Sequence, residues 1–344
     1  MLINILRKMK ATMVKELKWA PIRKSFLSNL KKKSVFLLGT PLHCNIGDQA
    51  ITLAEYDFFK SLGYAICEVP SPFVASKIEF LKKYVKKEKI FVHGGGFIGS
   101  LWPDEEVMFE TILREFPNNE IIVLPQTVFF NDDDKDMLDK LNDILSKCKN
   151  VTICTRETES YNYAKENLKN IKVELIPDMV LSQKWTQKSE KQNKVCFCMR
   201  KDHEKVLKED DQTKMEQEIK TVLPDAEIFY TDTMHNCDVQ PDERESVVKS
   251  KIREFSSCKI VITDRLHGMV LSAVSGSKTI VWSNCNYKVL GTYNWIKNNS
   301  YIGFVSNMEE FKLKLAEFAK SKDVCEYSNE EAIKHFDVLK KIIG

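Results

Sequence analysis

Two Rossmann-like α/β domains behind a basic amphipathic N-terminal helix are what this 344-residue sequence predicts, and three observations carry the prediction. Short apolar runs alternate with helical stretches in two successive sets, the pattern of parallel βα units with helices on both faces of a sheet. The length suits two domains of ordinary size, each with its own core. The charge is unevenly placed: 52 Lys and Arg against 49 Asp and Glu give +3, yet residues 1–33 hold ten basic side chains and the single acid Glu16. That arm is therefore +9 and the remaining 311 residues are −6.

Within the arm, residues 1–33, Leu2, Leu6, Met9, Met13, Leu17 and Ala20 recur at helical spacing, while Arg7, Lys8, Lys10, Lys15 and Lys18 lie mostly elsewhere around the turn. Pro21 is expected to end or kink this helix. Such a helix can lie on an anionic membrane surface, each Lys or Arg contributing about 1 kcal/mol, or pack on the body with its lysines solvated. The lopsided charge favours the membrane.

From Ser34 the apolar runs are Ser34–Leu38, Ala65–Val69, Ile90–Val92, Ile121–Leu124, Val151–Cys154 and Val173–Ile176. Helical patterns between them cover Asp48–Leu62, Ser76–Tyr84, Glu105–Glu115, Asp133–Cys148 and Glu157–Leu168. These form an N-terminal domain, residues 34–185. After the polar stretch Ser182–Lys194 a second set of strands begins: Lys194–Cys198, Glu227–Tyr230, Ile260–Thr263 and Thr279–Trp282. Its helices are Asp211–Thr221, Glu243–Ser257, Gly268–Ser275 and Met308–Phe318, which make a C-terminal domain of residues 186–344.

Composition excludes several classes. Hydrophobic residues are 43% and charged residues 29%, with 12 Gly and 10 Pro, so the chain is neither collagen-like nor disordered. No run approaches the roughly 18 apolar residues of a membrane span, and Arg7, Lys8, Lys10 and Lys15 interrupt any signal-peptide core. The ten cysteines are scattered and read as reduced thiols of a cytoplasmic protein. Cys196 and Cys198 are spaced C-x-C, but no second pair follows to complete a zinc site.

Ligands of doubly wound sheets bind beyond the carboxyl ends of the strands, and four segments there can do chemistry. The first run opens into Gly39-Thr-Pro-Leu-His43-Cys-Asn45-Ile-Gly47-Asp48, where a loop before a helix can offer N–H groups to an anion, or where Asn45 and Asp48 serve only as turn and cap. It has neither a Walker A nor a G-x-G-x-x-G pattern. The third run ends in His93-Gly94-Gly95-Gly96, glycines that let backbone approach a ligand; no G-x-S-x-G nucleophile accompanies them to make a hydrolase. Arg156 and Arg200 each end a strand, one per domain, and guanidinium suits bidentate contact with carboxylate or phosphate. The sharpest segment is Ile260-Val-Ile-Thr-Asp-Arg265-Leu-His267-Gly268, which delivers a fixed cation beside a proton-exchanging group, on one side if the extended conformation persists.

Taken together, Asn45-Ile-Gly47-Asp48, Gly94–Gly96, Arg156-Glu157 and Arg265-Leu266-His267-Gly268 resemble, in order and spacing, the polysaccharide pyruvyl transferases, over about Ser34 to Trp295. The resemblance implies a fold similar to the two-domain glycosyltransferase-B type. It also implies transfer of pyruvate from phosphoenolpyruvate (PEP) to a sugar hydroxyl pair as a cyclic ketal. His267 would then be the acid–base and Asp48 a second base. PEP would be held by Arg265, Arg156 and Arg200, with Lys288, His93, Gly94 and Gly95 as further contacts, and the acceptor by Asn45 and Gln126. No metal or other cofactor is expected. The family's role in capsule and exopolysaccharide assembly implies a polyprenyl-diphosphate-linked acceptor and a peripheral place at the inner face of the plasma membrane. Nucleic acid is not an expected partner, since no basic-aromatic stripe is present. A nucleotide-sugar-dependent glycosyltransferase is the alternative, since fold alone does not fix chemistry; a noncatalytic sugar-binding module is a third reading.

Overall fold

Seven strands of the computed structural model build the first sheet. They are β1 (Ser34–Thr40), β2 (Ala65–Pro70), β3 (Ile90–Val92), β4 (Gly95–Gly99), β5 (Glu120–Phe129), β6 (Asn150–Thr155) and β7 (Lys172–Leu175). Their order is β2-β1-β3-β5-β6-β7, with β4 paired to β5, and every pairing is parallel. Five more strands, β8 (Lys194–Cys198), β9 (Glu227–Thr231), β10 (Ile260–Thr263), β11 (Thr279–Trp282) and β12 (Ile302–Val305), form a second parallel sheet in the order β12-β11-β10-β8-β9. The structure describes residues 2–186, 190–200, 207–283, 287–321 and 325–344; the segment 201–202 after Arg200, Cys285 and Asn286 lie outside them.

The central strands carry unbroken apolar runs because helices cover both faces of each sheet. One apolar cluster fills the outer face of the first sheet around Leu38, Val92, Phe109 and Ile121, and another the outer face of the second around Phe197, Ile262 and Phe311. A third runs through both domains, from Phe58 and Phe59 to Val270 and Phe255, so the domains share a continuous core. Cys196 and Cys198 lie in it, buried as small apolar side chains.

Two strands escape the sequence pattern. The segment Gly95–Gly99 looks like loop because glycine is a poor strand former, but it is β4. There Gly99 (φ +113°) comes so close to β5 that a Cβ would stand 2.7 Å from the Phe129 carbonyl carbon. Strand β12 is only four residues long, with Gly303 in it.

The arm differs from expectation in a way that matters. Its helix does not end at Pro21 but runs from Leu2 to Asn29. Pro21 removes one N–H and crowds the Leu17 carbonyl, yet Trp19, Ile22 and Phe26 on either side are buried in the core of the first domain and hold the helix through it. The C-terminal half of the arm is therefore part of the body. The expected stripe at Met13 and Leu17 faces outward, with relative exposures of 66% and 63%.

The last helix, Glu330–Ile343, also crosses the expected boundary. Ala332, Phe336, Leu339 and Ile343 bury themselves in the shared core, Phe336 lies 6.2 Å from Phe58, and Lys89 caps the Ile342 carbonyl at 2.7 Å. The chain thus returns to the first domain at its end.

Candidate active site

Residues at the carboxyl ends of both sheets meet at the domain junction. Arg156, at the end of β6, is buried. Its Nε donates to Thr127 Oγ1 at 2.9 Å and its Nη1 to Asp178 Oδ2 at 3.0 Å, while Glu157 Oε2 lies 3.6 Å from Nε. Nη2 faces Gly96, where a Cβ would stand 3.2 Å away. The remaining open edge of this guanidinium therefore looks across the glycine segment.

From the second domain, His267 reaches the same place. Its Nε2 is 3.5 Å from Asp178 Oδ2, so one carboxylate oxygen faces an arginine of the first domain and a histidine of the second. Asp178 is held in turn by the Val180 N–H on its other oxygen, at 3.0 Å. Burial alone would raise its carboxyl, but His267, Arg156 and the Val180 N–H outweigh that and hold it down at about 2.

Arg265 and His267 do not share a side, as an extended conformation would have placed them. The helix Leu266–Val274 begins immediately after Arg265, and the helical turn sends the two side chains apart. Arg265 Nη2 pairs with Asp232 Oδ2 at 2.9 Å, at the end of β9, and Asp264 instead accepts the Arg200 N–H at 2.8 Å. Beside the Arg265–Asp232 pair opens a cavity of about 720 Å³, walled by Ile46, Thr231, Met234, His235 and Lys251 among others. Lys288 follows β11 and faces Glu157, whose buried carboxyl is pushed up by burial and eased down by Arg156 and Lys288.

The loop after β1 supplies the facing wall. Asn45 caps the helix Ile46–Ser61 by accepting from the Gly47 N–H at 2.9 Å. Its neighbours tie the loop to the second domain: Ile46 N–H donates to Thr233 O at 2.7 Å and His235 N–H to Cys44 O at 2.7 Å. Asp48, half-buried, lies 3.7 Å from His43 Nε2 and borders Gly95. His43 was not singled out as a site residue, although its place two residues before Asn45 marks it.

His93 and Gln126 sit deeper than expected. His93 Nδ1 is 2.9 Å from Glu55 Oε2, and the other oxygen of Glu55 accepts the Gly94 N–H at 2.7 Å. Burial pulls the His93 ring down, but the Glu55 charge and hydrogen bond more than offset it, so the net shift is upward. Its Nε2 is buried without a hydrogen-bond partner among the described residues. Gln126 is fully buried, donating to His93 O at 2.7 Å and accepting from Phe97 N–H at 3.2 Å. The acceptor contact expected of Gln126 is thereby corrected: both ends of its amide hold the glycine segment in place.

A buried network anchors the two domains beneath this site. Arg244, from the second domain, donates to Glu68 Oε1 at 2.7 Å and Gln49 Oε1 at 2.9 Å; Tyr56 and Thr40 also donate to Glu68, each at 2.5 Å. Gln49 passes this on to the loop, donating to His43 O at 2.9 Å. Among the described residues no group of three or more His, Cys, Asp or Glu stands where it could hold a metal ion.

Two parallel-sheet domains, with arginines and a histidine facing a buried carboxylate at the strand ends between them, define a two-domain protein of glycosyltransferase-B-like architecture. Residues 45–286 match the family described as polysaccharide pyruvyl transferase, and the chain belongs to it. It is 31% identical to General stress protein 30 of Bacillus subtilis, over 87% of this chain and 91% of that protein. It is 28% identical to Pyruvyl transferase 1 of Schizosaccharomyces pombe, over 79% and 71% respectively. A functionally uncharacterized Klebsiella pneumoniae protein of known structure shares the fold, with TM-score 0.57 and 19% identity, covering 85% of this chain and 98% of that one.

Proposed function

We propose that this transferase moves the pyruvyl unit of PEP onto two hydroxyls of a sugar, releasing phosphate. The observation that carries the reading is the junction of Arg156 and His267 on Asp178, with Arg265 two residues before His267. In the reaction, C3 of PEP gains a proton, two sugar oxygens bond to C2, and the C2–O bond to phosphate breaks. Of the two hydroxyl protons, one replaces that delivered to C3 and the other leaves with phosphate. His267 carries the proton to C3. The open Nη2 edge of Arg156, and from the other side Arg265, whose Nη2 is shared with Asp232, neutralise the carboxylate and phosphate. Arg200, just beyond β8, and Lys288, in the helix Tyr287–Tyr293 that follows β11, add positive charge. His93 and the backbone at Gly94–Gly95 line the donor side, Asp48 serves as second base, and Asn45 faces the acceptor.

The acceptor we assign is a lipid-linked sugar of capsule or exopolysaccharide assembly, met at the cytoplasmic membrane face. Two features support this. Met13 and Leu17 expose an apolar stripe beside Lys10, Lys15 and Lys18, a combination that binds anionic bilayers. A groove of about 790 Å³ runs between arm and body from Val14 and Lys15 to Leu42 and His43, the neighbour of Asp48. No helix of the described residues is long and apolar enough to cross a membrane.

The test is to incubate the protein with PEP and a panel of lipid-linked and aryl galactosides, glucosides and mannosides, following phosphate release and sugar mass. One acceptor should gain the mass of a pyruvate ketal with stoichiometric phosphate. Phosphate without an adduct, or no reaction across the panel, overturns the reading.

A further inference from the structure

Asp178 belongs to none of the segments that pattern and motif singled out, yet an arginine of the first domain and a histidine of the second converge on it. It stands three residues beyond β7 and caps the short turn Met179–Ser182 that begins the crossing to the second domain. Its side chain is 1% exposed. A carboxylate there is costly unless its oxygens are satisfied, and they are: Oδ1 by the Val180 N–H, Oδ2 by Arg156 Nη1, with His267 Nε2 at 3.5 Å.

We propose that Asp178 is the positioning residue of the centre, fixing the imidazole of His267 with its Nε2 proton directed at Oδ2 and holding Arg156 at a set angle to it. The proposal rests on His267 being the acid–base of pyruvyl transfer. Arg156 also has Glu157 Oε2 3.6 Å from Nε, with no hydrogen bond between them. Asp178 is the carboxylate that faces His267 as well. Gly47 borders the opposite edge of the ring, where a Cβ would overlap Nδ1, so glycine keeps uncovered the nitrogen that is left to exchange protons. The imidazole is thus held between a backbone wall of the first domain and a carboxylate at the start of the interdomain crossing. The 3.5 Å separation is long for a hydrogen bond, and Nε2 is buried with no hydrogen-bond partner among the described residues; the role proposed requires the contact to tighten in the reacting complex. Asp178 stays ionised at neutral pH and donates no proton itself. It orients the ring and stabilises the imidazolium that forms when His267 takes a proton from a sugar hydroxyl.

The experiment uses the full chain with 15N-labelled histidine. The ring signals of His267, one of six histidines, are assigned by their loss in His267→Gln. The wild-type ring should carry its proton on Nε2 with a low-field N–H resonance slow to exchange with water, and in Asp178→Asn that resonance should move upfield or vanish. Asparagine keeps the shape but serves only one of the two donors, Val180 N–H and Arg156. Its kcat should fall about 10- to 100-fold with PEP affinity changed far less, and Asp178→Glu should recover part of the loss. A wild-type ring protonated at Nδ1 overturns the proposal without any variant at 178, so a poorly folding Asp178→Asn leaves the test intact. An unchanged Nε2–H resonance in Asp178→Asn overturns it as well. If the ring behaves as described but no sugar acquires pyruvate, the positioning role stands and the functional reading fails.

Discussion

His267 packs directly against the α-carbon of Gly47: a Cβ at position 47 would overlap the Nδ1 edge of the imidazole and stand 2.8 Å from His267 Cβ. Glycine in the Asn45-Ile-Gly47-Asp48 segment is therefore demanded by a side chain 220 residues away. Gly47 has an ordinary backbone conformation, so the requirement is one of space.

Gly47→Ala should displace His267 and lower kcat about 100-fold, since a misplacement of an ångström can cost that much. Gly63→Ala is the control. Gly63 has φ +80° and open space, so alanine there should cost about 1 kcal/mol of stability and leave turnover alone. Thermal unfolding and initial rates on both variants separate the two effects; equal turnover in both would remove His267 from the chemistry.

Replacing His267 by alanine should abolish transfer while PEP still binds, as read by calorimetry. Arg265→Ala should weaken PEP binding itself by about tenfold or more, the loss of one charge-assisted contact. Full activity in both variants would place the chemistry elsewhere.

Arg244 and Glu68 give a stability prediction away from the chemistry. Arg244→Ala strands a buried carboxylate and should destabilise by about 3–5 kcal/mol. Arg244→Met with Glu68→Leu removes both charges and should cost clearly less than the sum of the single changes, because the pair is in direct contact. Denaturant unfolding of wild type, Arg244→Met, Glu68→Leu and the double variant yields the coupling; additive losses would show that the pair does not bridge the domains.

The pH dependence of folding should carry two opposite signatures. Glu106, 1% exposed, is pushed up by burial to about 7, against an ordinary 4.5. The unfolded chain releases this proton first, so stability falls as pH rises from about 4.5 to 7, by about 3 kcal/mol from this group. Glu106→Gln should flatten that loss and be the more stable protein at pH 8. Asp178, held at about 2, acts the other way: its contribution is full above about 4 and is lost as pH falls toward 2. Calorimetric scans from pH 3 to 8 on wild type and Glu106→Gln test the first sign, and parallel curves would refute it.

Removing all of residues 1–33 is a poor test of membrane attachment, because it strips Trp19, Ile22 and Phe26 from the core. Met13→Ser with Leu17→Ser spares those anchors. The double variant should lose binding to vesicles containing anionic lipid, while transfer to a water-soluble acceptor stays within about twofold, as surface changes usually do. Undiminished vesicle binding would assign the membrane role to another face or to none.

The strands legible in the sequence were those whose apolar runs are buried on both faces, such as Ile260–Thr263, which is β10 to the residue. Gly95–Gly99 was not, because its pairing with β5 rests on backbone closeness that side-chain pattern does not record. Likewise Arg156, Arg265 and His267 announced themselves by chemistry at strand ends. Asp178 did not, since a lone Asp after Pro177 looks like any turn residue until the second domain lays His267 beside it. The one available signal was its position just beyond the sixth apolar run.

Sequence by itself determined that this chain folds as two parallel α/β units and that cationic and acid–base side chains end their strands, because periodicity and strand polarity are local properties. Which of those side chains meet was decided only by the tertiary structure. Arg265 turns to Asp232, His267 to Asp178, Gln126 inward to the glycine segment, and the arm divides at Trp19 into a buried anchor and an exposed stripe. Each outcome depends on the packing of elements distant in sequence, where burial and the pairing of buried charge outweigh local preference.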